Sequence, residues 1–377
     1  MNGIVAKMKS DFGFFDSEFF GKFLTGIRER ILCLKVKKKS SNFLSPNFKL
    51  EDSFESMESL IVKSDIVNDK DSIKSQLDKY SKHRIGVEKS NIINLFSYFN
   101  SKKSELLKNC GTYLQFSKYQ NLTSNDVVNT LSKANFCKIN KFCPMCSWRN
   151  SAQVAMECLY KLNLLADKAR KSHKSKPRFL FLTLTVKNPV LTDLRDTVNH
   201  INLSFNRLMK LDRTQCIKGY FRALEFMGDH TPEGQAHPHL HVLLVVDSEY
   251  FDTNKDLYIT QEEWTKLWRQ SLRADYDPLV DIKVVKPKKK NGKTMSSLLC
   301  ASLECAKYCV TPADLISISQ SDFKILYEQT KSLRQYVFGG LLRDIEYVKE
   351  ELSQDEWELI STEIYQWIKG KYVFKPN

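Results

Sequence analysis

Four short segments in the second half of the chain have apolar residues spaced with the period of a β-strand. Residues 178–186 are mostly apolar, and from 182 to 186 threonines alternate with Leu and Val, which predicts a strand with Thr residues on one face. Residues 219–227 and 237–246 predict two further strands, and residues 281–285 predict a fourth. Because only a short loop joins the second strand to the third, we expect these two strands to be neighbours in a sheet.

Elsewhere apolar residues recur every three or four positions, which is the period of an amphipathic helix. This spacing predicts helices over residues 193–211, 258–272 and 296–310, and one over 150–171. Residues 81–116 also have a helical pattern. Tryptophans at helical spacing are more often core residues than nucleic-acid contacts, so we expect Trp residues of 258–272 to be buried.

Composition divides the chain into three regions. Residues 1–75 have little periodicity and contain an acidic, serine-rich run, so we interpret them as an accessory or partly disordered extension. Residues 76–176 form a helical, cysteine-containing region that ends before Pro177. Residues 177–377 contain the alternating strands and helices, and we expect helices at their C-terminal end.

The charge balance of the chain favours a polyanionic partner. The sequence has 58 Lys and Arg against 44 Asp and Glu, a net charge of +14, and such an excess binds nucleic acid by releasing counterions. A generic basic surface would give the same composition. No apolar run approaches the roughly 18 residues of a membrane span, and the N terminus lacks the pattern of a signal peptide. We therefore expect a soluble, cytosolic protein.

Much of the positive charge lies in one lysine-rich segment after the fourth strand. A proline and a glycine keep this segment from forming a helix, so we predict a loop. Such runs are usually only solvated, but this one leads into the helix predicted over 296–310, and we predict that it contacts phosphate. Arg149 is a further candidate DNA contact. The candidate lysines are Lys283, Lys286, Lys288, Lys289, Lys290 and Lys293.

Three histidines stand at the start of the strand that covers residues 237–246. Side chains two apart in a strand point to the same face, so His239 and His241 can bind one metal ion together. Glu225, at the end of the neighbouring strand, is a candidate third ligand, because two imidazoles and a carboxylate suit a divalent cation. His237 shares the same face and is the alternative. The simpler interpretation is a half-buried strand whose histidines make ordinary hydrogen bonds.

The cysteine segment before residue 150 has the spacing of a zinc site. Cys143 and Cys146 form a CxxC pair, Cys137 lies six residues upstream, and Cys110 is the candidate fourth ligand. A redox-active CxxC pair is the alternative. The third cysteine and the basic surroundings favour structural zinc, and in a cytosolic chain cysteines are more often ligands or core residues than disulfides.

The helix predicted over 296–310 carries a candidate nucleophile. Glu304 and Tyr308 are four residues apart and so lie on one helix face, and Lys307 is next to the tyrosine. A free phenol has a pKa near 10 and is a poor nucleophile. A metal ion and nearby cations would make its attack on a phosphate feasible.

Together these segments resemble the rolling-circle replication initiators of small bacterial plasmids, within the His-hydrophobic-His (HUH) endonuclease superfamily. The cysteine segment is similar to the zinc-binding region of that family, and the resemblance covers roughly residues 80–345. The segments that carry it are Phe-Leu-Thr-Leu-Thr-Val at 181–186, Gly-Tyr-Phe-Arg-Ala-Leu-Glu at 219–225, His-Pro-His-Leu-His-Val-Leu-Leu at 237–244 and Glu-Cys-Ala-Lys-Tyr at 304–308.

The resemblance implies an α+β fold, with an HUH endonuclease-like antiparallel sheet flanked by helices after an N-terminal helical zinc-binding region. It implies Mg²⁺ or Mn²⁺ held by His239, His241 and a third ligand. Tyr308 would nick one strand of the double-strand origin and stay on the 5′ phosphate, and Glu304 would activate water at termination. Many family members have a lysine where this chain has Thr311, so a phosphate contact from that position is not expected.

The implied partners are origin DNA in double-stranded and single-stranded form, a host helicase and a host DNA polymerase in the bacterial cytoplasm. A mobilisation relaxase or transposase of the same superfamily would use the same chemistry, but relaxases usually place the tyrosine before the histidine strand. A noncatalytic zinc-containing DNA-binding regulator is the second alternative, and it predicts binding without metal-dependent cleavage.

Overall fold

Two five-stranded antiparallel sheets with helices packed against them make up most of the computed structural model. The α+β class predicted from the sequence is therefore confirmed. No helix in the described part of the chain is both long and apolar enough to cross a membrane. The structure describes residues 66–68, 73–172, 177–228, 231–286, 288–290, 293–295, 302, 306, 318–348 and 352–376.

The N-terminal part of the described chain alternates helices with the strands of the first sheet. Its elements are β1 (Ile66–Asn68), α1 (Ile73–Lys89), α2 (Ile92–Ser97), α3 (Ser101–Lys108), β2 (Tyr113–Asn121), β3 (Val127–Ala134) and α4 (Pro144–Lys171).

The rest of the chain forms the second sheet and then returns to the first. Short 3₁₀ turns occur at Leu191–Asp193, Asp212–Thr214 and Ser248–Phe251. The elements are β4 (Arg178–Thr185), α5 (Leu194–Leu208), β5 (Ile217–Glu225), β6 (His239–Val246), α6 (Gln261–Leu272), β7 (Val280–Val284), β8 (Lys288–Lys290), β9 (Lys293–Met295), α7 (Gln320–Thr330), β10 (Tyr336–Gly340), β11 (Trp357–Ile368) and β12 (Lys371–Lys375).

The second sheet has the strand order β10-β5-β6-β4-β7, with β6 in the centre. The predicted pairing of β5 with β6 is confirmed, and β6 also pairs with β4. Because β6 has a strand on either side and is covered on both faces, nearly all of its residues are buried. This burial explains why its sequence is a continuous apolar run after the histidines.

Helices cover both faces of this sheet. On one face, α5 and α6 pack against the strands through a core that includes Phe205, Trp264 and Trp268. Both tryptophans are fully buried, so their predicted core role is confirmed. Helix α6 begins at Gln261 rather than at the predicted residue 258, because the Thr260 side chain caps it. The Thr260 hydroxyl accepts a hydrogen bond from the backbone N–H of Glu263.

On the opposite face, the middle of α4 packs against the half of the sheet that lies away from the histidines. Cys158 and Leu162 of α4 form a buried cluster with Phe221, Leu243 and Val245. The other half of the same face carries Glu225, His239 and His241. Since α4 is 28 residues long, it spans roughly 42 Å at about 1.5 Å per residue, and it links the cysteine segment to the second sheet.

The first sheet differs from the sequence prediction in two ways. Leu114, predicted to be helical with residues 81–116, lies in β2, where Leu114 and Phe116 alternate with more exposed residues. Among the described residues, α7 is the one helix at the C-terminal end, where helices were expected, and it is followed by β10, β11 and β12. Both β11 and β12 join the first sheet, whose order is β1-β3-β2-β11-β12.

The lysine-rich segment was predicted to be a loop, and the structure instead has the short antiparallel hairpin β8-β9. Two residues, Asn and Gly in sequence, separate the strands. Asn-Gly is the dipeptide that most favours a two-residue hairpin turn, so the sequence contained a signal for this hairpin.

The pairing of β10 with β5 depends on the absence of a side chain at Gly340. This residue has φ +55°, and a Cβ added there would lie 2.5 Å from the carbonyl oxygen of Lys218. We expect Gly340→Ala to lower the free energy of unfolding by about 3 kcal/mol, because a backbone clash adds to the left-handed strain. Urea denaturation measures this change.

Gly370 provides the matched control for this substitution. It has φ +81°, but a Cβ there would meet no atom within 4 Å. Gly370→Ala should therefore cost only about 1 kcal/mol, from backbone conformation alone. Equal losses for the two variants would contradict the proposed clash at β10.

Candidate functional site

The register of three strands brings the predicted metal ligands together. Glu225 on β5 lies directly opposite His239 on β6, and Ala223 lies opposite His241. On the other side of β6, His239 and His241 face Thr185 and Thr183 of β4. Because residues opposite one another in a sheet point to the same face, the carboxylate and both imidazoles converge.

The ligand atoms of Glu225, His239 and His241 are spaced as a metal ion requires. His239 Nε2 lies 3.2 Å from Glu225 Oε2, and His241 Nε2 lies 3.2 Å from Oε1. The two Nε2 atoms are 3.1 Å apart. An octahedral Mg²⁺ with bonds of about 2.1 Å has neighbouring ligands roughly 3.0 Å apart. These three residues can therefore hold a small divalent cation with little rearrangement.

Hydrogen bonds on the far side of each ring orient the two imidazoles. His239 Nδ1 lies 2.9 Å from the backbone oxygen of His237, and His241 Nδ1 lies 3.2 Å from Thr183 Oγ1. The Phe181 ring stacks on His241 at 5.3 Å. Such outer partners fix the tautomer and direct Nε2 towards a metal. Strand alternation predicted which face Thr183 occupies, but its contact with His241 was not predicted.

The electrostatics of Glu225 also suit a cation. Its Oε1 is buried and makes no hydrogen bond, although His241 Nε2 is nearby. Burial by itself raises the pKa of this carboxyl, but the adjacent His239 and His241 outweigh burial and lower the pKa to about 2. Glu225 is therefore an anion at neutral pH, and its two carboxylate oxygens face the two imidazoles.

His237 lies beside this group but is not part of it. Its Nδ1 is 2.7 Å from Asn188 Oδ1, and its ring centre is 4.9 Å from that of His239. The group whose ligand atoms all lie within 4.8 Å of one another contains Glu225, His239 and His241. Of the two candidates for the third ligand, the structure thus brings Glu225 into position and directs His237 to Asn188.

The four cysteines of the N-terminal region form a second buried cluster. The Sγ of Cys146 lies 3.5 Å from that of Cys137 and 3.6 Å from that of Cys110, and Cys143 Sγ is also 3.6 Å from Cys110 Sγ. Disulfide sulfurs would be about 2.05 Å apart. Four thiolates around one zinc, with bonds of about 2.3 Å, would be roughly 3.8 Å apart. The spacing therefore fits a four-thiolate metal site and excludes disulfides among these four.

Different elements supply these cysteines. Cys110 follows α3, Cys137 follows β3, and the CxxC pair lies at the start of α4, with Pro144 in its first turn. The backbone N–H of Cys137 points to Cys110 Sγ at 3.4 Å. Hydrogen bonds from Cys110, Cys137 and Cys143 lower the pKa of Cys146, while contacts with the other cysteines and burial raise the pKa of Cys137 and Cys143. Negative charge in the cluster is thus favoured on Cys146, and it is the thiolate form of cysteine that binds metal.

Arg149 is held within the protein rather than extended into solvent. Its guanidinium lies 4.2 Å from the centre of the Phe136 ring and donates a hydrogen bond of 2.6 Å to the Tyr80 hydroxyl. These contacts join the start of α4 to α1 and to the segment before Cys137. The aromatic partners of Arg149 were not recognised in the sequence, where it was predicted to contact DNA.

The structure describes only part of the predicted lysine surface. Lys283 lies on β7, and its Nζ forms an ion pair of 2.6 Å with Asp281. Asp281 lies opposite Thr183 in the sheet, on the face that carries the histidines. Lys286 is exposed after the same strand. The backbone of the β8-β9 hairpin is described, but the side chains of Lys288, Lys289, Lys290 and Lys293 lie outside the described residues.

Glu304, Lys307 and Tyr308 also lie outside the described residues, but two neighbours in sequence are placed. Ser302 and Ala306 are buried, and the N–H of Ala306 donates to the Ser302 carbonyl at 3.1 Å, as in a helical turn. The Tyr336 hydroxyl donates to the Ala306 carbonyl at 3.5 Å. Because Tyr336 pairs with Ala223, which pairs with His241, Ala306 lies over the sheet face that carries the histidines.

Comparison with known proteins identifies the family of the chain. The family model described as replication protein matches residues 128–371. A protein named "Protein rep" from Streptococcus pneumoniae serotype 2 (strain D39 / NCTC 7466) is 38% identical over 242 residues, which cover 64% of this chain and 70% of the relative. A protein of the same name from Lentilactobacillus hilgardii is 33% identical over 251 residues, which cover 65% of this chain and 75% of the relative.

A third relative, the "Protein rep" of Staphylococcus aureus, is 33% identical over 226 residues, which cover 59% of this chain and 89% of the relative. No solved structure matches the chain. The family match spans β3 to the start of β12. It includes Glu225, His239 and His241 and three of the four clustered cysteines, but not Cys110. The chain therefore belongs to the replication protein family, and its sequence resemblance to plasmid rolling-circle replication initiators is confirmed.

Proposed function

We propose that this replication protein starts rolling-circle replication by nicking one strand of the plasmid origin with Tyr308, in a reaction that needs a divalent metal ion. The observation that carries the proposal is the convergence of Glu225, His239 and His241 on one sheet face. In a replication protein, an anionic site beside DNA is unfavourable unless a cation compensates for it.

Glu225, His239 and His241 would hold Mg²⁺ or Mn²⁺, with Thr183 and the His237 carbonyl orienting the imidazoles. A bound divalent ion would draw negative charge from the scissile phosphate and leave open positions for its oxygens. Three protein ligands suit this role, because Mg²⁺ and Mn²⁺ take up to six ligands.

Tyr308 would act as the nucleophile. Its phenol oxygen forms a bond to phosphorus while the bond from phosphorus to the deoxyribose 3′ oxygen breaks. The phenol loses its proton, and the departing 3′ oxygen gains one. The bond energy is retained in the phosphotyrosine ester, so rejoining needs no ATP. Lys307 would favour the ionised phenol, and Glu304 would accept a proton from water when the ester is hydrolysed.

The four cysteines would hold a structural Zn²⁺. All four are buried, and their sulfur spacing suits a closed tetrahedral site without an open position. A closed zinc site contributes folding energy and no catalysis. It would fix the start of α4, and through α4 the cover of the second sheet.

The freed 3′ end would prime a host DNA polymerase, and a host helicase would unwind the strand. Lys283 and Lys286, together with the lysines of the β8-β9 hairpin, would contact the phosphates of single-stranded or double-stranded origin DNA near the site. The family supports binding to origin DNA, since a replication initiator acts there.

The first prediction tests the metal ligands. We expect His241→Ala to lower the nicking rate by more than about a hundredfold, the upper end of the loss when only an outer-shell partner is removed. DNA binding should remain, because phosphate contacts supply most of the affinity. Conversion of supercoiled origin plasmid to relaxed plasmid with Mn²⁺ measures the rate, and an electrophoretic shift measures binding.

His200→Ala is the control for this variant. His200 is exposed, and its imidazole lies 3.0 Å from the Leu272 carbonyl oxygen, away from the metal ligands, so its loss should leave nicking unchanged. Full activity of His241→Ala at micromolar metal would sink the assignment of the site. Loss of nicking on chelation with EDTA, restored by Mn²⁺, is expected for the parent protein.

The second prediction concerns zinc. We expect about one Zn²⁺ per chain and its loss in Cys143→Ser/Cys146→Ser, with a cooperative loss of folding, because structural zinc supplies folding energy directly. Elemental analysis after gel filtration and thermal unfolding measure the two effects. Cys216→Ser is the control, since Cys216 lies outside the cluster. Protein purified without chelator that contains no zinc would exclude the proposal.

The third prediction separates Tyr308 from Glu304. Tyr308→Phe should lose both nicking and the covalent link to DNA, because phenylalanine has no oxygen to form the ester. Glu304→Ala should still nick and link, but it should fail to hydrolyse the ester at termination. A plasmid with two origins in series reports this difference as multimers in place of single-unit circles.

Protein bound covalently to a labelled 5′ end distinguishes the two variants directly on a denaturing gel. Efficient termination by Glu304→Ala would show that the carboxylate does not activate water. A covalent complex with Tyr308→Phe would show that another residue is the nucleophile.

A further inference from the structure

The first sheet has a face that plays no part in the two candidate metal sites. Pairing aligns Lys133, Gln115, Ile364 and Lys375 in one row across β3, β2, β11 and β12. Strand alternation places Tyr113, Gln366, Ile368, Lys371 and Val373 on the same side. We call these nine residues the basic face.

The opposite side of the sheet is the buried one. Leu114 and Phe116, which alternate with Gln115 in β2, are almost fully buried. Tyr365, which follows Ile364 in β11, packs against Phe116 with ring centres 6.0 Å apart. The Tyr113 hydroxyl donates to Gln115 Oε1 at 2.7 Å, as expected for side chains on one face. The basic face therefore points away from this core.

The charge of this face is uncompensated. Lys133, Lys371 and Lys375 are exposed, and so is Lys369 at the tip of the β11-β12 hairpin. None of the nine positions is an Asp or Glu. None of these four lysines forms an ion pair with another residue in the described part of the chain. Elsewhere in the structure exposed lysines such as Lys255 and Lys283 do have carboxylate partners.

The dimensions of the face suit double-stranded DNA. Lys133 and Lys375 are three strand spacings apart, which is roughly 14 Å at about 4.8 Å per spacing. The major groove of DNA is about 12 Å wide, so lysines at this separation can reach the phosphates on its two sides. Gln115 and Gln366 lie between them and supply amide donors and acceptors.

The hairpin tip extends the same surface. Lys369 and Gly370 have φ values of +46° and +81°, so the chain reverses within two residues and places Lys369 beside Lys371. A narrow two-stranded hairpin with lysines at its tip can enter a DNA groove, whereas a wide sheet cannot.

We infer that the basic face binds the phosphate backbone of double-stranded origin DNA, on a different sheet from the one that carries Glu225, His239 and His241. The inference rests on the proposed function only in taking DNA as the substrate. The basic face would thus add duplex contacts away from the nicking site to those of the lysines beside it.

Salt dependence of DNA binding tests this assignment, because each phosphate contact contributes about 0.9 to the slope of log affinity against log salt. We expect Lys133→Gln/Lys375→Gln to lower the slope by about 1.8 on a labelled mixed-sequence duplex of about 30 base pairs, between about 50 and 200 mM NaCl. Affinity at the lowest salt should fall about tenfold. Fluorescence anisotropy measures both quantities.

Lys210→Gln/Lys266→Gln is the matched control. These lysines are exposed near α5 and on α6, on the other sheet's helices, and their replacement changes the net charge by the same amount. The control should keep the parent slope, and Lys133→Arg/Lys375→Arg should keep it too. Equal loss in the control, or an unchanged slope in Lys133→Gln/Lys375→Gln, overturns the inference.

Two further measurements distinguish a loss of DNA binding from a loss of folding and from a loss of nicking. Circular dichroism checks that each variant is folded, and Lys371→Gln alone, with an expected slope loss of about 0.9, replaces the double variant if that one unfolds. Cleavage of a single-stranded origin oligonucleotide should be unaffected by the basic-face variants. A parent protein that shows the expected slopes but never nicks would refute the proposed nicking function and leave the basic face supported.

Discussion

The alignment of β5 with β6 is the constraint on which the candidate site depends. Glu225 reaches both imidazoles only because it lies opposite His239 in the antiparallel pair. A slip of one residue would move the carboxylate to the other face of the sheet, into the core formed with α5 and α6. The apolar residues that alternate with the site residues oppose this slip, since it would move the buried Leu224 from the core to the face that carries the histidines. Core packing thus fixes the geometry of the site.

The parts of the structure that depend on neighbouring residues in sequence could be predicted. The strands and helices between 178 and 285 follow from local periodicity, and the convergence of His239 with His241 follows from the two-residue repeat of a strand. The spacing of Cys143 and Cys146 likewise predicted their proximity. These features need no knowledge of which distant segments meet.

The parts that depend on distant segments could not be predicted in the same way. Periodicity identifies a strand but not its partner, so the return of the C-terminal strands to β2 was missed and helices were expected there. The choice between Glu225 and His237 was open because both can lie on the site face. In the structure His237 faces Asn188, whereas Glu225 lies beside both imidazoles. The aromatic partners of Arg149 lie on α1 and in the segment before Cys137, and the sequence alone does not show that these segments pack against it.

The pairing of β2 with β11 has a consequence for how the protein is made. These strands are separated by more than two hundred residues in sequence, and β11 lies between β2 and β12 in the sheet. The first sheet therefore cannot close until the ribosome has released the long stretch of chain between these two strands. Chains that end before Trp357 would lack two of the five strands of this sheet, and with them six of the nine residues of the basic face.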